Sequence, residues 1–575
     1  VIIRVYFSNH PKIVVGVMPA RYKKPMFYKK LGLQIALAAF CTWNVNAQNT
    51  ASYSWNNLPK IQQPVFKKDT VRITSFGAVP DGHTLNTKAI NEAISTISQK
   101  GGGVVLVSPG LWITGPVVLK SNVNLHIQES AMLLFTTDKT QYALTEGSYE
   151  GKSAARNESP ISGLNLENIA ITGKGVVDGN GDAWRAVHKS QLTDSEWKER
   201  VASGGVLKDD GKTWYPSEQF KQASVQNKSM LLTPGKTPKD FADMKDFLRP
   251  NLVVLNNCKK VLLEGVTFQN SAAWCLHPLM CEDITFRNVR VKNPDYAHNG
   301  DGMDIESCKN FLVEGCVLDV GDDAICIKSG KDEEGRKRGK PTENGVIRNN
   351  IIYKGHGAFV IGSEMSGGAR NIFIENCTFM GTDKGLRFKS VRGRGGLVEN
   401  IYARNIFMTD IVQEAIFFDM YYFVKFATDG VRDMSPVVNE GTPVFRNMQF
   451  ENIVCNGAQK GVFVRGLPEM PIKNIVMKNM VLSAGKGIEL TDADEIKFDN
   501  VQLITKQVNP VILVDNSTNV LFSGIKYDNS EWLISVTGER SKNLKLEKTD
   551  LTKSKKVALF EKGAEEKSLS VQKGK

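Results

Sequence analysis

CKKVLLEGVTFQN from Cys258, CEDITFRNVRVKN from Cys281 and CKNFLVEGCVLDV from Cys308 are three copies of one phrase. Each has a short alternating apolar run, then Asn or Gly, then a second short run, and the starts lie 23 and 27 residues apart. Alternation marks strands with one buried face. Asn and Gly suit corners because both tolerate the left-handed backbone region. The phrase recurs upstream as ENIAITGKGVVDG from Glu167. Downstream it returns as ARNIFIENCTFMG from Ala369, VENIYARNIFMTD from Val398, FRNMQFENIVCNG from Phe445, IKNIVMKNMVLSA from Ile472 and ADEIKFDNVQLIT from Ala493. Short strands at a period of roughly 20–30 residues, with no helices between them, indicate a solenoid. A leucine-rich repeat would fix Leu positions, and a propeller blade needs about 40 residues. A stacked β-sandwich would leave the repeated phrase unexplained. The expectation is an all-β chain built as one parallel β-helix, each coil about 4.8 Å above the last.

Around this repeat the chain reads as follows. Residues 48–70 are a polar, irregular leader, and 71–545 form the β-helix domain. Within it a strand is expected over 71–78, a turn at Pro80-Asp81-Gly82, and a helix over Thr87–Gln99 with Asn86 as N-cap and Gly101 closing it. Strands follow over Gly103–Val107, 112–119 and Val123–Ile127. Residues 186–246 break the repeat with a polar stretch holding Trp197, Trp214, Tyr215 and Pro216, read as an insertion of the kind that lines one face of a solenoid. Residues 546–575 read as a polar C-terminal tail.

Upstream of 48 the sequence has the form of an export signal. Lys29-Lys30 supply the positive region, 31–40 the apolar region, and Val45-Asn46-Ala47 a small-residue cleavage site, with Met26 where such a signal would begin. The apolar run is too short to span a bilayer, which takes about 20 residues. Export to the periplasm or beyond is expected, with no membrane span. The formal charge of +12 includes seven cations from residues 1–47, so the exported part carries +5. That balance gives little support to a nucleic-acid partner. Eight cysteines lie beyond the signal, from Cys258 to Cys455, with no spacing of a zinc site. They read as buried thiols of a large core.

The chemistry lies in four short motifs. Asn299-Gly300-Asp301-Gly302-Met303-Asp304 comes first, then Gly321-Asp322-Asp323-Ala324, Gly355-His356-Gly357 and Gly385-Leu386-Arg387-Phe388-Lys389. The steps Asp301 to Asp322, Asp322 to His356 and His356 to Arg387 are 21, 34 and 31 residues, each one coil with or without a loop. A solenoid therefore brings all four onto one face. Crowded carboxyls push at least one pKa up. One protonated and one ionised carboxyl, typically about 6.5–9.5 Å apart, are what an inverting glycoside hydrolase needs. Arg387 and Lys389, two apart on a strand, point the same way and could clamp a substrate carboxylate. Singly, each motif has a plainer reading: a turn, a calcium ligand, a structural histidine, a surface charge pair. In order and at coil spacing they read as a site.

At these residues the sequence resembles the pectin-degrading polygalacturonases of glycoside hydrolase family 28. That family carries Asn-Thr-Asp, Gly-Asp-Asp, Gly-His-Gly and Arg-Ile-Lys in this order. FGAVPDG from Phe76, ITGKGVVDGNGDAW from Ile171 and SAAWCLHPLMC from Ser271 resemble family phrases too, so the likeness covers about 71–530. It implies a right-handed, single-stranded parallel β-helix of the pectin lyase type. It also implies inverting cleavage of α-1,4-galacturonosyl linkages without a metal or cofactor, by a monomer acting on an acidic polysaccharide. By resemblance Asp322 is the general acid, Asp301 and Asp323 hold and deprotonate the water, and His356 tunes the acid. Arg387, Lys389, Tyr422 and Asn299 contact substrate. Gly300 replaces the usual Thr and Phe388 the usual Ile. The Asn-Gly-Asp-Gly form and GSEMSGG from Gly362 are similar to exo-acting bacterial members, and the insertion at 186–246 would close one end of the groove. Alternatives left open are a rhamnogalacturonan or branched-pectin hydrolase, a calcium-dependent pectate lyase on the same fold, and a non-catalytic binder.

Overall fold

Inward apolar residues of successive phrases stack in register. In the larger sheet the column runs Val261, Ile284, Phe311, Gly345, Ile372, Ile401, Met448, Ile475, Ile496, each paired in parallel with the next. Gly345 interrupts it for a steric reason: a Cβ there would stand inside the Phe311 ring. These pairings come from a computed structural model that describes residues 53–422, 424 and 436–573. The expected export signal lies outside the described residues. Strands assemble into a 25-stranded and a 14-stranded sheet, wound as a parallel β-helix with the hand that parallel crossovers adopt. In the 14-stranded sheet the inward column includes Leu276, Met303, Ile325, Phe359, Leu386, Ile416 and Val462.

The corner asparagines do what the phrase implied. Asn310, Asn344, Asn371 and Asn400 all have φ between 56° and 61°. Asn344, Asn371 and Asn400 each donate a side-chain amide to the one before, at 3.1, 3.1 and 3.3 Å. The eight described cysteines are buried, free thiols. The amphipathic helix Thr87–Gln99 closes the N-terminal end of the core with Ala89, Ile90, Ala93, Ile94 and Ile97.

Several expectations need correction. Residues 71–78 are not one strand: Thr70–Arg72 pairs, and Ile73–Phe76 turns into a 3-10 helix ended by Gly77 at φ 87°. Asn86 makes no N-cap bond. Its side chain instead bonds Val79 N and the carbonyls of Val79, Thr84 and Ile113, tying a loop to the first coil. The span 112–119 is two strands, Gly110–Thr114 and Val117–Val118. Residues 546–575 are not a tail. Leu544–Thr549, Ser554–Glu561 and Leu569–Lys573 continue the coil in parallel register. Their outward Lys and Glu set the composition, while Leu544 and Leu546 point into the core.

The insertion at 186–246 is folded. It holds a small antiparallel sheet of Val187–His188, Val206–Leu207 and Thr213–Tyr215, and helices Asp194–Ala202 and Glu218–Val225. Its later part packs Ala223, Met230, Phe241 and Met244 against Ala154 and Ala155 of a hairpin, Leu144–Tyr149 with Lys152–Asn157. That hairpin had no sequence signal. No helix among the described residues is long and apolar enough to cross a membrane.

Candidate active site

The 14-stranded sheet positions every motif. Asp301 precedes Met303–Glu306, and Asp322 precedes Asp323–Lys328 on the next coil. His356 precedes Gly357–Ile361 on the coil after. Arg387 and Lys389 lie on Lys384–Lys389, and Tyr422 follows Glu414–Asp419. Parallel pairing joins these strands consecutively. The distant motifs therefore meet because each marks the same place in its coil.

One carboxylate oxygen from each of Asp301, Asp322 and Asp323 lies within 4.8 Å of the others. This is tighter than the separation of about 6.5–9.5 Å expected for an inverting pair. A water about 2.8 Å from two such oxygens could donate to both. Asp323 is buried, with Oδ1 accepting from Arg387 Nη1 at 2.9 Å and Oδ2 from Lys389 Nζ at 2.7 Å. Arg387 and Lys389 thus point the same way, but their first partner is Asp323 rather than the groove. Gly357 makes this reach possible, since a Cβ on it would stand 3.1 Å from Arg387 Cδ. The Tyr422 ring lies against both cations, 5.5 Å from the Arg387 guanidinium and 4.8 Å from Lys389 Nζ.

Asp322 is partly exposed. Its Oδ1 accepts from the Asp323 backbone N–H at 2.9 Å and lies 3.0 Å from His356 Nδ1. His356 itself is exposed. Asn299, at φ 56°, turns its Oδ1 to Arg249 Nη2 at 2.8 Å. Its amide oxygen is therefore committed to a neighbour, a contact that the sequence did not foretell.

Charge separates the acids. Burial, then the nearby Asp304 and Asp322, push Asp301 well above the usual carboxylate range. Burial would raise Asp322 too, but the His356 hydrogen bond and charge hold it below its ordinary value. For Asp323 burial is outweighed by Lys389, Arg387 and Lys328, and it stays strongly acidic. His356 is raised by the hydrogen bond to Asp322 against the opposing effect of burial. The site thus favours ionised Asp322 and Asp323, while Asp301 and the neighbouring Asp304 hold a proton more tightly than an ordinary carboxyl.

Beneath these groups lies a buried network that sequence reasoning missed. Lys328 Nζ stands 3.0 Å from Glu364 and 3.5 Å from Asp304, whose two oxygens accept no well-formed hydrogen bond. Arg394 reaches Glu364 at 3.8 Å and bonds Asp332. Glu306 is held between His277 at 2.9 Å and Arg338 at 2.6 Å. The available signal was Lys328, a charge ending the otherwise apolar run Ala324–Ile327 directly after two acids. The three clustered acids could ligate a cation, yet both Asp323 oxygens already face positive groups, which disfavours one there.

Comparison with known proteins finds relatives along most of the chain. Residues 192–491 match the profile of the family described as Glycosyl hydrolases family 28. A probable polygalacturonase of Vitis vinifera is 28% identical over 420 residues, 71% of this chain and 73% of that protein. An exo-poly-alpha-D-galacturonosidase of Dickeya chrysanthemi is 26% identical over 469 residues, 79% of this chain and 73% of its own length. The crystal structure of a hyperthermoactive exopolygalacturonase from Thermotoga maritima superposes with a TM-score of 0.63 at 31% identity, covering 77% of this chain and 93% of that one.

Proposed function

Because the chain belongs to glycosyl hydrolases family 28, we propose that it hydrolyses α-1,4-galacturonosyl linkages of polygalacturonate from the non-reducing end, releasing galacturonate. The observation that carries this reading is the three-acid cluster, with Arg387 and Lys389 beside it. It supplies a proton, a base and two cations within reach of one glycosidic bond and one uronate. Exo action is supported by the hairpin Leu144–Tyr149 and Lys152–Asn157. Its tip ties to the loop beyond the Asp323–Lys328 strand through Lys152–Asp332 at 2.8 Å and Glu150–Lys331 at 2.6 Å. Under and beside it the outward side chains His277 and Glu306 are buried. The insertion at 186–246 buttresses this hairpin from behind.

In the mechanism, a bound uronate strips water from the half-open Asp322 and raises its proton affinity. A proton held by Asp301 then passes to Asp322. That step loads the acid and frees the base together. Asp322 protonates the departing glycosidic oxygen. Water held by Asp301 and the ionised Asp323 attacks the anomeric carbon from the opposite face and gives its proton to Asp301. His356, bonded to Asp322, sets the acid's orientation and readiness. Arg387, Lys389 and Tyr422 meet the sugar carboxylate and ring, and Asn299 lines the entry on the hairpin side. Residues 26–47 would export the chain to the periplasm or beyond.

The test is a product assay on de-esterified polygalacturonate, run once with calcium and once with a chelator. Galacturonate from the first minutes, nearly constant viscosity and a β-anomer formed first are expected. A fast fall in viscosity with mixed oligomers overturns exo action, and a first-formed α-anomer overturns inversion. Unsaturated, ultraviolet-absorbing products would make the chain a lyase. A second arm checks the proton donor, because the raised Asp301 suggests a rival for that role. Asp322→Asn should lose over about a hundredfold on the polymer and far less on a nitrophenyl galacturonide, whose leaving group needs no proton. The same rescue in Asp301→Asn instead would exchange the two roles.

A further inference from the structure

The buried and partly buried cations around the acids are nearly all matched to an acid. Lys328 has Glu364, Arg338 has Glu306, Arg394 has Asp332, and Arg387 and Lys389 share Asp323. Arg156 and Arg249 are different. Among the described residues neither has a carboxylate within ion-pair distance. Arg156 is 7% exposed, yet its partners are Met230 Sδ at 3.6 Å and Asn251 Oδ1 at 3.1 Å, with the Tyr149 ring 5.5 Å away. Arg249 donates to the carbonyls of Ala272 and His298, at 2.9 and 2.7 Å, and to Asn299 Oδ1.

The acidic groups nearby are not available to them. Glu150 is taken by Lys331 at 2.6 Å. Burial and Glu150 push the Tyr149 hydroxyl up to about 12, so it is neutral. Burial holds both guanidiniums down to about 10, with Arg249 lowering Arg156 and Arg185 lowering Arg249, but both remain charged at neutral pH. A buried charge is normally paired. Here two like charges share the wall of one narrow, open-mouthed recess with Tyr149, Glu150, Trp274 and Asn299, and Glu150 is the acid already held by Lys331. The recess lies on the hairpin side of Asp301, where an exo enzyme places the last sugar.

We propose that Arg156 and Arg249 seat the carboxylate of the terminal, non-reducing uronate, making a free acid at the chain end a condition of productive binding. This inference rests on the polygalacturonate reading above. It assigns the two ends of the site different tasks. Arg387 and Lys389 serve the cleavage point while also holding Asp323. Arg156 and Arg249 read the terminus and have no internal acid to satisfy them. An arginine pair suits this because the planar fork matches a carboxylate in two-point geometry.

The experiment is a calorimetric titration of the full chain carrying Asp322→Asn, so that ligand survives. The ligands are trigalacturonate and the same trimer methyl-esterified at its non-reducing terminal carboxyl. The ester should bind about tenfold or more weakly, the range of a lost charge-assisted contact. Adding Arg156→Gln should weaken only the free acid, so that the two trimers converge, and Arg156→Lys should restore part of the preference. Equal binding of both trimers to the parent, or an equal loss for both with Arg156→Gln, overturns the proposal. Wild-type hydrolysis of trigalacturonate, run alongside, separates the two readings. Turnover without ester discrimination removes only the arginine seat. Discrimination without turnover keeps the seat and removes the proposed reaction.

Discussion

Asp301 Oδ1 is buried without a hydrogen-bond partner, and so are both oxygens of Asp304. Natural folds satisfy nearly all such groups, so each exception asks for a reason. A site that must hold a proton and then release it to water has one, because a fully bonded carboxylate would be too acidic. The consequence for stability has a definite sign. Asp301 titrates near about 3.9 when unfolded and much higher when folded. The unfolded chain therefore gives up its proton first as pH rises. Folding loses stability from about pH 4 up through the folded value, and the loss is complete above it. Asp323 acts in the opposite sense, since its depressed value adds stability above about pH 3.9 that is lost as pH falls through the folded value. Asp301→Asn removes only the first effect. It should melt roughly 1–3 °C above wild type at pH 7 while losing turnover, and the gap should close as pH falls below about 4. Thermal melts at both pH values check this, and a lower melting point at pH 7 would contradict it.

Strands and corners were the most legible parts of the sequence, because a solenoid makes neighbours of residues one phrase apart. Asn344, Asn371 and Asn400 occupy the same place in their phrases, and that regularity alone puts them in one ladder. The four motifs were legible for the same reason. The hairpin Leu144–Asn157 was not, since its partners Met230, Asn251 and Asp332 come from segments with no fixed spacing to it. Arg156 and Arg249 were hidden with it. A strand's inward face also vanishes when its outward face is charged, which is how Leu546 was read as part of a polar tail. The ladder itself can be tested at Asn371, whose φ is 57°. Alanine there loses the side-chain rungs and pays a left-handed backbone penalty, together about 1–3 kcal/mol. Asn371→Gly should recover the backbone share. Guanidinium unfolding midpoints in the order wild type, Gly, Ala would confirm the division, and Ala equal to Gly would remove the backbone part.

At the scale of the whole molecule, a parallel β-helix has a continuous core and two raw ends. Each end exposes apolar layers and a row of unpaired strand groups unless something covers it. The N-terminal end has the helix Thr87–Gln99, with five apolar residues turned to the first coils. At the other end the last strands, Leu544–Thr549, Ser554–Glu561 and Leu569–Lys573, lie over Leu521–Ser523 and Ser530–Thr537. Phe522 and Ile534, fully buried there, belong to the coil directly below. The Lys and Glu that made this region read as a polar tail face outward along the strands, where charge hinders strand addition by further chains. Ending the chain at residue 543 should therefore leave the distant acid cluster intact but uncover an apolar, unpaired edge. The truncated protein is expected to keep turnover per folded molecule while eluting as oligomers or aggregates in size-exclusion chromatography. Charged substitutions at Phe522 and Ile534 would then fail to restore it, because those side chains sit inside the coil. A truncated chain that stays monomeric and melts with the full-length protein would show that the terminal coil adds nothing, and that the cap lies earlier in the solenoid.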